Sequence, residues 1–167
     1  GLMRYSALAR ETGQVHTTAC TGPLVGKAHL VSFSINGSDE LVGNVIKPDH
    51  EIHLKLTGEI LVPLKDFRVT ICIFKNDQLV LGMHDAESPS DIAPGIFDSE
   101  FHVPNFFLSP GEYSIDINMY SNENGQWMGA KSFSLFSIST EWHPLYEPTH
   151  GMGIVNLRQS GRRLIKS

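Results

Sequence analysis

Residues 97–120 read FDSEFHVPNFFLSPGEYSIDINMY, and this stretch decides the fold class. It contains two runs in which apolar and polar side chains alternate, from Phe97 to Val103 and from Tyr113 to Tyr120. Strict alternation is the pattern of a strand that buries one face and exposes the other to water. Pro104 cannot donate a ladder hydrogen bond and ends the first run, and Ser109-Pro110-Gly111 has the residues of a turn. The stretch therefore predicts the corner between strands E and F of a β-sandwich.

Similar runs recur on both sides of this corner, between residues 28 and 138. They are short and separated by Gly, Pro, Asn and Asp, which is typical of an antiparallel sandwich. Outside the corner, we expect strands at Ala28–Ile35, Leu41–Ile46, Glu51–Thr57, Phe67–Phe74, Leu79–Met83, Gln126–Lys131 and Phe133–Ile138. The sequence thus predicts an all-β, antiparallel sandwich of the immunoglobulin-like or jelly-roll type. We expect about eight strands, no helix of consequence, and an extended C-terminal tail strand.

The pattern divides the chain into three segments. Residues 1–27 have no sustained period and are expected to form a linker or arm from a preceding domain, whereas residues 28–139 form the sandwich. Residues 140–167 are a tail, in which an aromatic and proline-rich stretch at 142–148 leads to a strand-like piece at Ile154–Leu157. That piece could pair with its own domain or with a second copy, and strand exchange would give a homodimer.

Composition excludes several classes of partner. The formal net charge is −5 and the pI is near 5.9, whereas a surface for nucleic acid or anionic lipid needs clustered Lys and Arg. No apolar run approaches the roughly 18 residues of a membrane span, so we expect no direct membrane insertion. Cys20 and Cys72 are too few for a disulfide framework and are interpreted as free thiols.

No motif for nucleotide or metal chemistry is complete. Residues 22–28 (GPLVGKA) resemble a phosphate-binding loop, but the spacing is one residue short and Ala28 replaces the hydroxyl residue that binds magnesium. His84, Asp85 and Glu87 are the only local group with plausible metal ligands, and a solvated loop is the favoured interpretation. We therefore expect no cofactor and no metal.

Three carboxylates offer a catalytic alternative. Asp98, Glu100 and Asp116 could supply the acid–base pair of a glycoside hydrolase if they shared one outward face. Alternating strands place polar residues on such a face in any case, so a solvated surface is the favoured interpretation. We expect a chain that is not an enzyme.

The candidate binding site is a set of hydrogen-bonding and aromatic residues. If strands 67–74, 112–120 and 126–138 share a sheet, its outer face presents Arg68, Thr70, Asp116, Asn118 and Tyr120, with Trp127 across the hairpin. Sugars present apolar C–H faces and a rim of hydroxyls, which fit aromatic rings and planar polar groups. Two alternatives remain open: the aromatic residues only cover the sheet edge, or the site lies in the loop from His84 to Pro94.

The residues also resemble a known family. The resemblance covers about residues 27–138 and rests on these stretches: Lys27–Leu30, Glu51–Leu54, Phe67–Phe74 with Leu79-Val80, Phe101–Tyr113 and Ser132–Leu135. Its most specific element is the Val-Pro-x-x-x-Leu-x-Pro-Gly-x-Tyr corner, residues 103–113. The chain is similar to the C-terminal carbohydrate-binding domain of Wzt-type ATP-binding subunits of O-antigen polysaccharide ABC transporters.

This resemblance implies a sandwich that recognises the modified non-reducing end of a lipid-linked O-antigen polysaccharide before export. It implies a cytoplasmic position at the bacterial inner membrane, contact with the membrane subunit through the parent protein, and dimers formed by C-terminal strand exchange. The ATP-binding domain would precede residue 1, so ATP is not expected to bind this chain. The family motif assigns no sugar ligand residue by residue. The alternative is a dimerisation or adaptor sandwich without a glycan site.

Overall fold

The computed structural model describes residues 20–140 and 163–165, and every regular element within them is a β-strand. In chain order the strands are β1 Ala28–Ile35, β2 Asn44–Ile46, β3 Ile52–Ile60, β4 Leu64–Lys75, β5 Gln78–His84, β6 Ser90–Ile92, β7 Gly95–Val103, β8 Gly111–Ser121, β9 Gly125–Met128 and β10 Ser134–Ile138. The prediction of an all-β sandwich is confirmed.

Two sheets form the layers of the sandwich. The smaller has the order β1-β3-β7, and the larger has the order β2-β10-β8-β4-β5, with β6 beside β4 and β9 beside β8. The ladders are antiparallel except that β2 and β10 run parallel, which makes the larger sheet mixed. The alternation of side chains predicts which face is buried but not the direction of a neighbouring strand, so the sequence did not indicate this parallel pair.

Two segments differ from the expected strands. Leu41 lies outside β2 but is buried, and its carbonyl oxygen accepts hydrogen bonds from the Leu135 N–H and the Ser134 hydroxyl. The expected loop at residues 85–94 contains the short strand β6, which pairs with β4. These short contacts depend on tertiary neighbours, so periodicity alone cannot predict them.

The corner has the predicted place in the fold, because β7 belongs to the smaller sheet and β8 to the larger. The Tyr113 hydroxyl donates a hydrogen bond of 2.6 Å to the carbonyl oxygen of Ser109, which is the tyrosine corner of immunoglobulin-like sandwiches. Phe106 and Leu108 are buried, and the Tyr113 ring stacks on Phe136 with centroids 5.3 Å apart. The turn is therefore closed by one hydrogen bond and sealed by apolar packing.

The core lies between the two sheets. Its centre consists of inward aliphatic residues that are fully buried: Leu54, Leu56, Val69, Ile71, Ile73, Ile115, Ile117 and Met119. Edge-to-face aromatic pairs join distant parts of the chain, Phe33 with Phe133 and Phe67 with Phe97. Because these residues occupy one face of β3, β4 and β8, the opposite faces of the same strands are presented outward.

The sandwich begins before Ala28. Leu24 is fully buried, and Thr21 exchanges two backbone hydrogen bonds of 2.8 Å with Met128 of β9. Gly22 has φ of +108°, and a Cβ at this position would overlap the carbonyl oxygen of Gln126, so glycine is required there. Residues 20–27, which the sequence analysis assigned to the arm, thus pack on the domain.

The predicted tail strand Ile154–Leu157 lies outside the described residues. In the part of the chain that is described, no helix has the length and apolar character needed to cross a membrane.

Candidate functional site

The outer face of the larger sheet brings most of the predicted residues together. Strands 67–74, 112–120 and 126–138 do share this sheet, as the prediction required. The β4–β8 register places Arg68 opposite Tyr120 and Thr70 opposite Asn118. Directly opposite side chains on one face have Cβ atoms about 4.5–5.5 Å apart, so these two pairs form a compact group.

The neighbouring strands extend these pairs into two rows. His84 of β5 is opposite Thr70, and Met128 of β9 is opposite Asn118, which gives one row across four strands. The second row contains Arg68, Tyr120 and Gln126. We call these seven residues the outer-face site: His84, Thr70, Asn118, Met128, Arg68, Tyr120 and Gln126.

His84 belongs to the sheet, at the last position of β5, and not to the loop that follows. Its Nδ1 lies 2.8 Å from the Thr70 hydroxyl oxygen, so the two side chains share a hydrogen bond. That bond orients an exposed imidazole across the face of β4. His84, the first residue of the alternative loop site, therefore lies on the same sheet face as the other predicted site.

Asp116 lies on the same face but has a structural partner. Its Oδ1 accepts a hydrogen bond of 2.7 Å from the backbone N–H of Ser132, which has φ of +55°. This bond holds the link between β9 and β10. Burial raises the pKa of the Cys72 thiol opposite Asp116, and the carboxylate charge raises it further, so Cys72 is a neutral thiol at pH 7.

Trp127 is not on the outer face. The β8–β9 register places it opposite Met119, which is an inward residue, and its side chain is only 1% exposed. The prediction that Trp127 provides an aromatic platform is therefore wrong. The reason is the hairpin geometry, in which the inward residue Ser121 pairs with Gly125. Alternation from that pair places Trp127 on the inward face of β9, and Gln126 and Met128 on the outward face.

Tyr120 is the aromatic residue that the outer-face site presents. It is 37% exposed, and its hydroxyl donates a hydrogen bond of 3.2 Å to Asn122 Oδ1. Met128 is 40% exposed beside it and adds a polarisable apolar contact surface. Gln126 and Met128 were not among the predicted site residues, although the glycine at position 125 was the signal that could have set the hairpin register.

Two polar side chains at the centre of this site have no partner. Arg68 and Asn118 are both half-buried, and neither side chain makes a hydrogen bond, ion pair or ring contact within the described residues. Removing such groups from water without a partner costs free energy, so polar groups in this position are usually bonded. An amide and a guanidinium are therefore available side by side next to an aromatic ring.

The three carboxylates of the hydrolase alternative do not lie on one face. Asp98 and Glu100 lie on β7 in the smaller sheet, whereas Asp116 lies on β8 in the larger sheet. Asp98 accepts a 2.6 Å hydrogen bond from Thr57 and lies 3.9 Å from the Lys55 ammonium group. Asp116 is therefore separated from Asp98 and Glu100, which share the outward face of β7, so the three carboxylates do not form one site.

The suspected metal ligands separate in the same way. The Asp85 carboxylate accepts hydrogen bonds from the Val69 N–H at 3.0 Å and from the Ser99 hydroxyl at 2.8 Å, while His84 turns to the outer face. Among residues 20–140 and 163–165, no group of three or more potential ligands could hold a metal ion.

The smaller sheet carries a separate group of histidines on its outer face. His53 and His102 are directly opposite, and their rings stack with centroids 4.4 Å apart. Glu100 lies 3.8 Å from His53, and Glu51 lies 4.0 Å from His102. Parallel stacked imidazoles do not direct their nitrogens at one point, so this group does not form a preorganised metal site.

Comparison with known proteins gives a structural relationship only. No protein-family model matches the chain, and no curated protein matches it. The chain is similar to the C-terminal domain of wzt, with a TM-score of 0.64 and 10% identity over 93% of this chain and 95% of that one. A Niemann-Pick type C2 protein from the Japanese carpenter ant aligns at a TM-score of 0.49 and 11% identity over 67% of this chain and 92% of its own, too weakly to carry an argument. At this identity the first match establishes that the two chains share a fold.

Proposed function

We propose that this chain is a non-catalytic carbohydrate-binding domain, and that the outer-face site recognises the modified non-reducing end of a lipid-linked O-antigen polysaccharide for export. The observation that carries the proposal is the pair of half-buried, unpartnered side chains, Arg68 and Asn118, beside the exposed ring of Tyr120. The fold shared with the C-terminal domain of wzt supports the same function.

The chemistry of the site fits a sugar. An aromatic ring contacts the apolar C–H face of a pyranose, and neighbouring amide and guanidinium groups bind its hydroxyls in the plane of the ring. Tyr120 and Asn118 are two positions apart on one strand, and Arg68 is directly opposite Tyr120, so one or two adjacent sugar residues could contact all three. Thr70 and His84 border this group with a hydroxyl and an imidazole that are already oriented.

In the parent protein, this domain would be attached to an ATP-binding subunit on the cytoplasmic side of a bacterial inner membrane. Binding of the polysaccharide end would then be coupled to the membrane subunit of the transporter. The domain itself supplies recognition.

The experiment that tests this function is a two-dimensional NMR titration with O-polysaccharides whose non-reducing ends carry or lack their modification. We expect shifts confined to the outer-face site, seen with the end-modified member of one matched pair. A folded sample that responds to no member of the panel would contradict the proposal and favour the dimerisation function.

Replacement of Tyr120 with alanine is expected to weaken glycan binding by about 1–3 kcal/mol, or about 5- to 150-fold, because one contact ring is lost. Isothermal titration calorimetry measures the change. Leu135→Ala is the matched control, since Leu135 is also outward-facing and 43% exposed on the same sheet but lies on β10, away from the site. Equal affinities for the two variants would remove Tyr120 from the site.

A dimerisation function is the second candidate, and an exposed apolar row favours it. Leu79 and Leu135 lie in one cross-strand row with Phe74 and Ser114 on the outer face, and Leu79 is 56% exposed. Val45 of the neighbouring β2 is 68% exposed. Such a surface suits a protein partner, including a second copy of this chain.

Truncation of the chain after Ser139 is expected to lower the oligomeric state, because it removes the segment proposed to exchange between copies. Ser139 is a suitable end point, since its N–H still donates to the Ile46 carbonyl oxygen. Light scattering after gel filtration gives the mass of both forms, and circular dichroism checks that the short form is folded. A folded short form with the same number of subunits as the full chain would rule out strand exchange at 154–157.

A further inference from the structure

We propose that the glycan bound by the outer-face site carries an anionic group, a carboxylate or a phosphate, and that Arg68 binds it. This inference rests on the proposed function and specifies its ligand. Arg68 would then determine specificity by selecting acidic over neutral glycan ends.

Arg68 differs from the other cations of its strand. On β4, Lys65 lies 3.0 Å from the Asp91 carboxylate, and Lys75 donates a hydrogen bond to the carbonyl oxygen of Pro110. Arg68 has neither kind of partner within the described residues, although it is more buried than Lys65. A guanidinium stays charged at any physiological pH and offers five donors, so its lack of a partner on a half-buried surface points to a ligand.

Three carboxylates around β4 and on the outer face are already engaged in the fold. Asp85 accepts hydrogen bonds from Val69 and Ser99, and Asp91 is bound to Lys65. Asp116, on the same face, accepts its bond from Ser132. Arg68 pairs with none of these carboxylates, so its donors remain available to an oxyanion of a ligand.

The surroundings of Arg68 suit an oxyanion of a sugar. Carboxylate and phosphate accept two parallel hydrogen bonds from a guanidinium, which gives both strength and direction. The Asn118 amide can donate to a further oxygen or a hydroxyl, and the Tyr120 ring lies directly opposite Arg68 for the sugar itself. Cys72 is a neutral thiol, so it adds no negative charge to repel the anion.

Elsewhere the charge of the protein opposes anion binding. The chain has a formal net charge of −5, so acidic polymers are not attracted to its surface in general. Selection would therefore depend on the local contact with Arg68. A charge-assisted hydrogen-bond pair of this kind is expected to favour the acidic form by about 10- to 100-fold over its neutral counterpart.

The test uses NMR of the arginine Nε–H and asparagine amide groups in the full chain. The small probes are inorganic phosphate and acetate, and the glycan probes are trigalacturonate with its methyl ester, and phosphorylated mannotriose with mannotriose. We expect saturable shifts at Arg68 and Asn118 with both small anions, and stronger binding of the acidic member of at least one glycan pair. A larger response to phosphate or to acetate tells which oxyanion the site prefers.

Two variants make the result specific. Arg68→Gln should abolish the anion response and the preference for acidic glycans, whereas Arg68→Lys should keep a weaker preference. Lys75→Gln, the matched control at the other end of the same strand, should leave the Arg68 response unchanged because Lys75 donates to the Pro110 carbonyl oxygen and not to a carboxylate.

The outcomes separate this inference from the proposed function. Absence of a saturable response at Arg68 to phosphate and acetate would overturn the inference, as would equal binding of acidic and neutral glycans by a chain whose Tyr120 and Asn118 still respond. In that second case the carbohydrate function would stand. Anion binding at Arg68 with no response to any glycan or O-polysaccharide would instead contradict the carbohydrate function on which the inference rests.

Discussion

Trp127→Ala is expected to lower the free energy of unfolding by about 3–5 kcal/mol, the usual cost of removing a fully buried large aromatic side chain. Trp127 is 1% exposed and joins the inward residues of the core opposite Met119. Its backbone lies under Gly22, and its ring lies against Gly129. The indole lies close enough to the Cys20 thiol to influence its pKa. The Trp127 side chain thus links β9 to Cys20, which precedes β1, and to the centre of the sandwich.

Urea denaturation followed by far-ultraviolet circular dichroism measures this loss. Met128→Ala is the matched control, because Met128 is the next residue on the same strand but is 40% exposed, and its change should stay within about 0.5 kcal/mol. If Trp127→Ala kept its stability and lost only glycan affinity, Trp127 would be a binding residue after all, and the register of β9 would be wrong.

Trp127 shows how far the sequence predicts the site. From Phe67 to Ile73 of β4 and along β8, unbroken alternation anchored by inward aliphatic residues predicts the orientation of the side chains. Arg68, Thr70, Asn118 and Tyr120 therefore lie where the sequence placed them. Across a hairpin, the phase of the second strand depends on the turn. Gly125 has φ of +90° and pairs with Ser121, and a shift of this register by one residue would exchange the two faces of β9.

The rest of the site depends on contacts between distant segments. Asp116 was correctly placed on the outer face, but its bond to Ser132 depends on the conformation of the β9–β10 link, which no period encodes. Arg68 likewise has no partner among the described residues, which only the tertiary structure reveals. Alternation assigns faces, whereas the tertiary structure decides which polar groups on a face remain available.

Asp85→Ala is expected to lower the free energy of unfolding by about 2–4 kcal/mol. Two donors on buried residues, the Val69 N–H and the Ser99 hydroxyl, lose the carboxylate that accepts their hydrogen bonds. β5 ends at His84 and β6 begins at Ser90, so neither strand bonds to β4 at Val69. Asp85 fills this gap: its carboxylate accepts from the Val69 N–H, and its own N–H donates to the Val69 carbonyl oxygen at 3.0 Å.

The second carboxylate oxygen of Asp85 joins the two sheets. It accepts a hydrogen bond from the hydroxyl of Ser99, which is an inward residue of β7 and only 4% exposed. Asp85→Asn should lose much less stability than Asp85→Ala. The amide oxygen can still accept a hydrogen bond from the Val69 N–H, and the amide nitrogen can donate one to the Ser99 hydroxyl oxygen. Glu87→Ala, an exposed change in the same loop, should stay within about 0.5 kcal/mol.

A double-mutant cycle of Asp85→Ala with Ser99→Ala, measured by urea denaturation, tests whether this contact links the sheets. The losses of stability in the two single variants should not add in the double variant. Asp85→Ala leaves the Ser99 hydroxyl without an acceptor, and Ser99→Ala then removes that hydroxyl. Additive losses would show that the carboxylate acts only through Val69. If Asp85 were instead a metal ligand with His84 and Glu87, a chelator would destabilise the wild-type chain and Glu87→Ala would share the loss. The geometry of the carboxylate, with both oxygens already bonded to protein groups, leads us to expect neither effect.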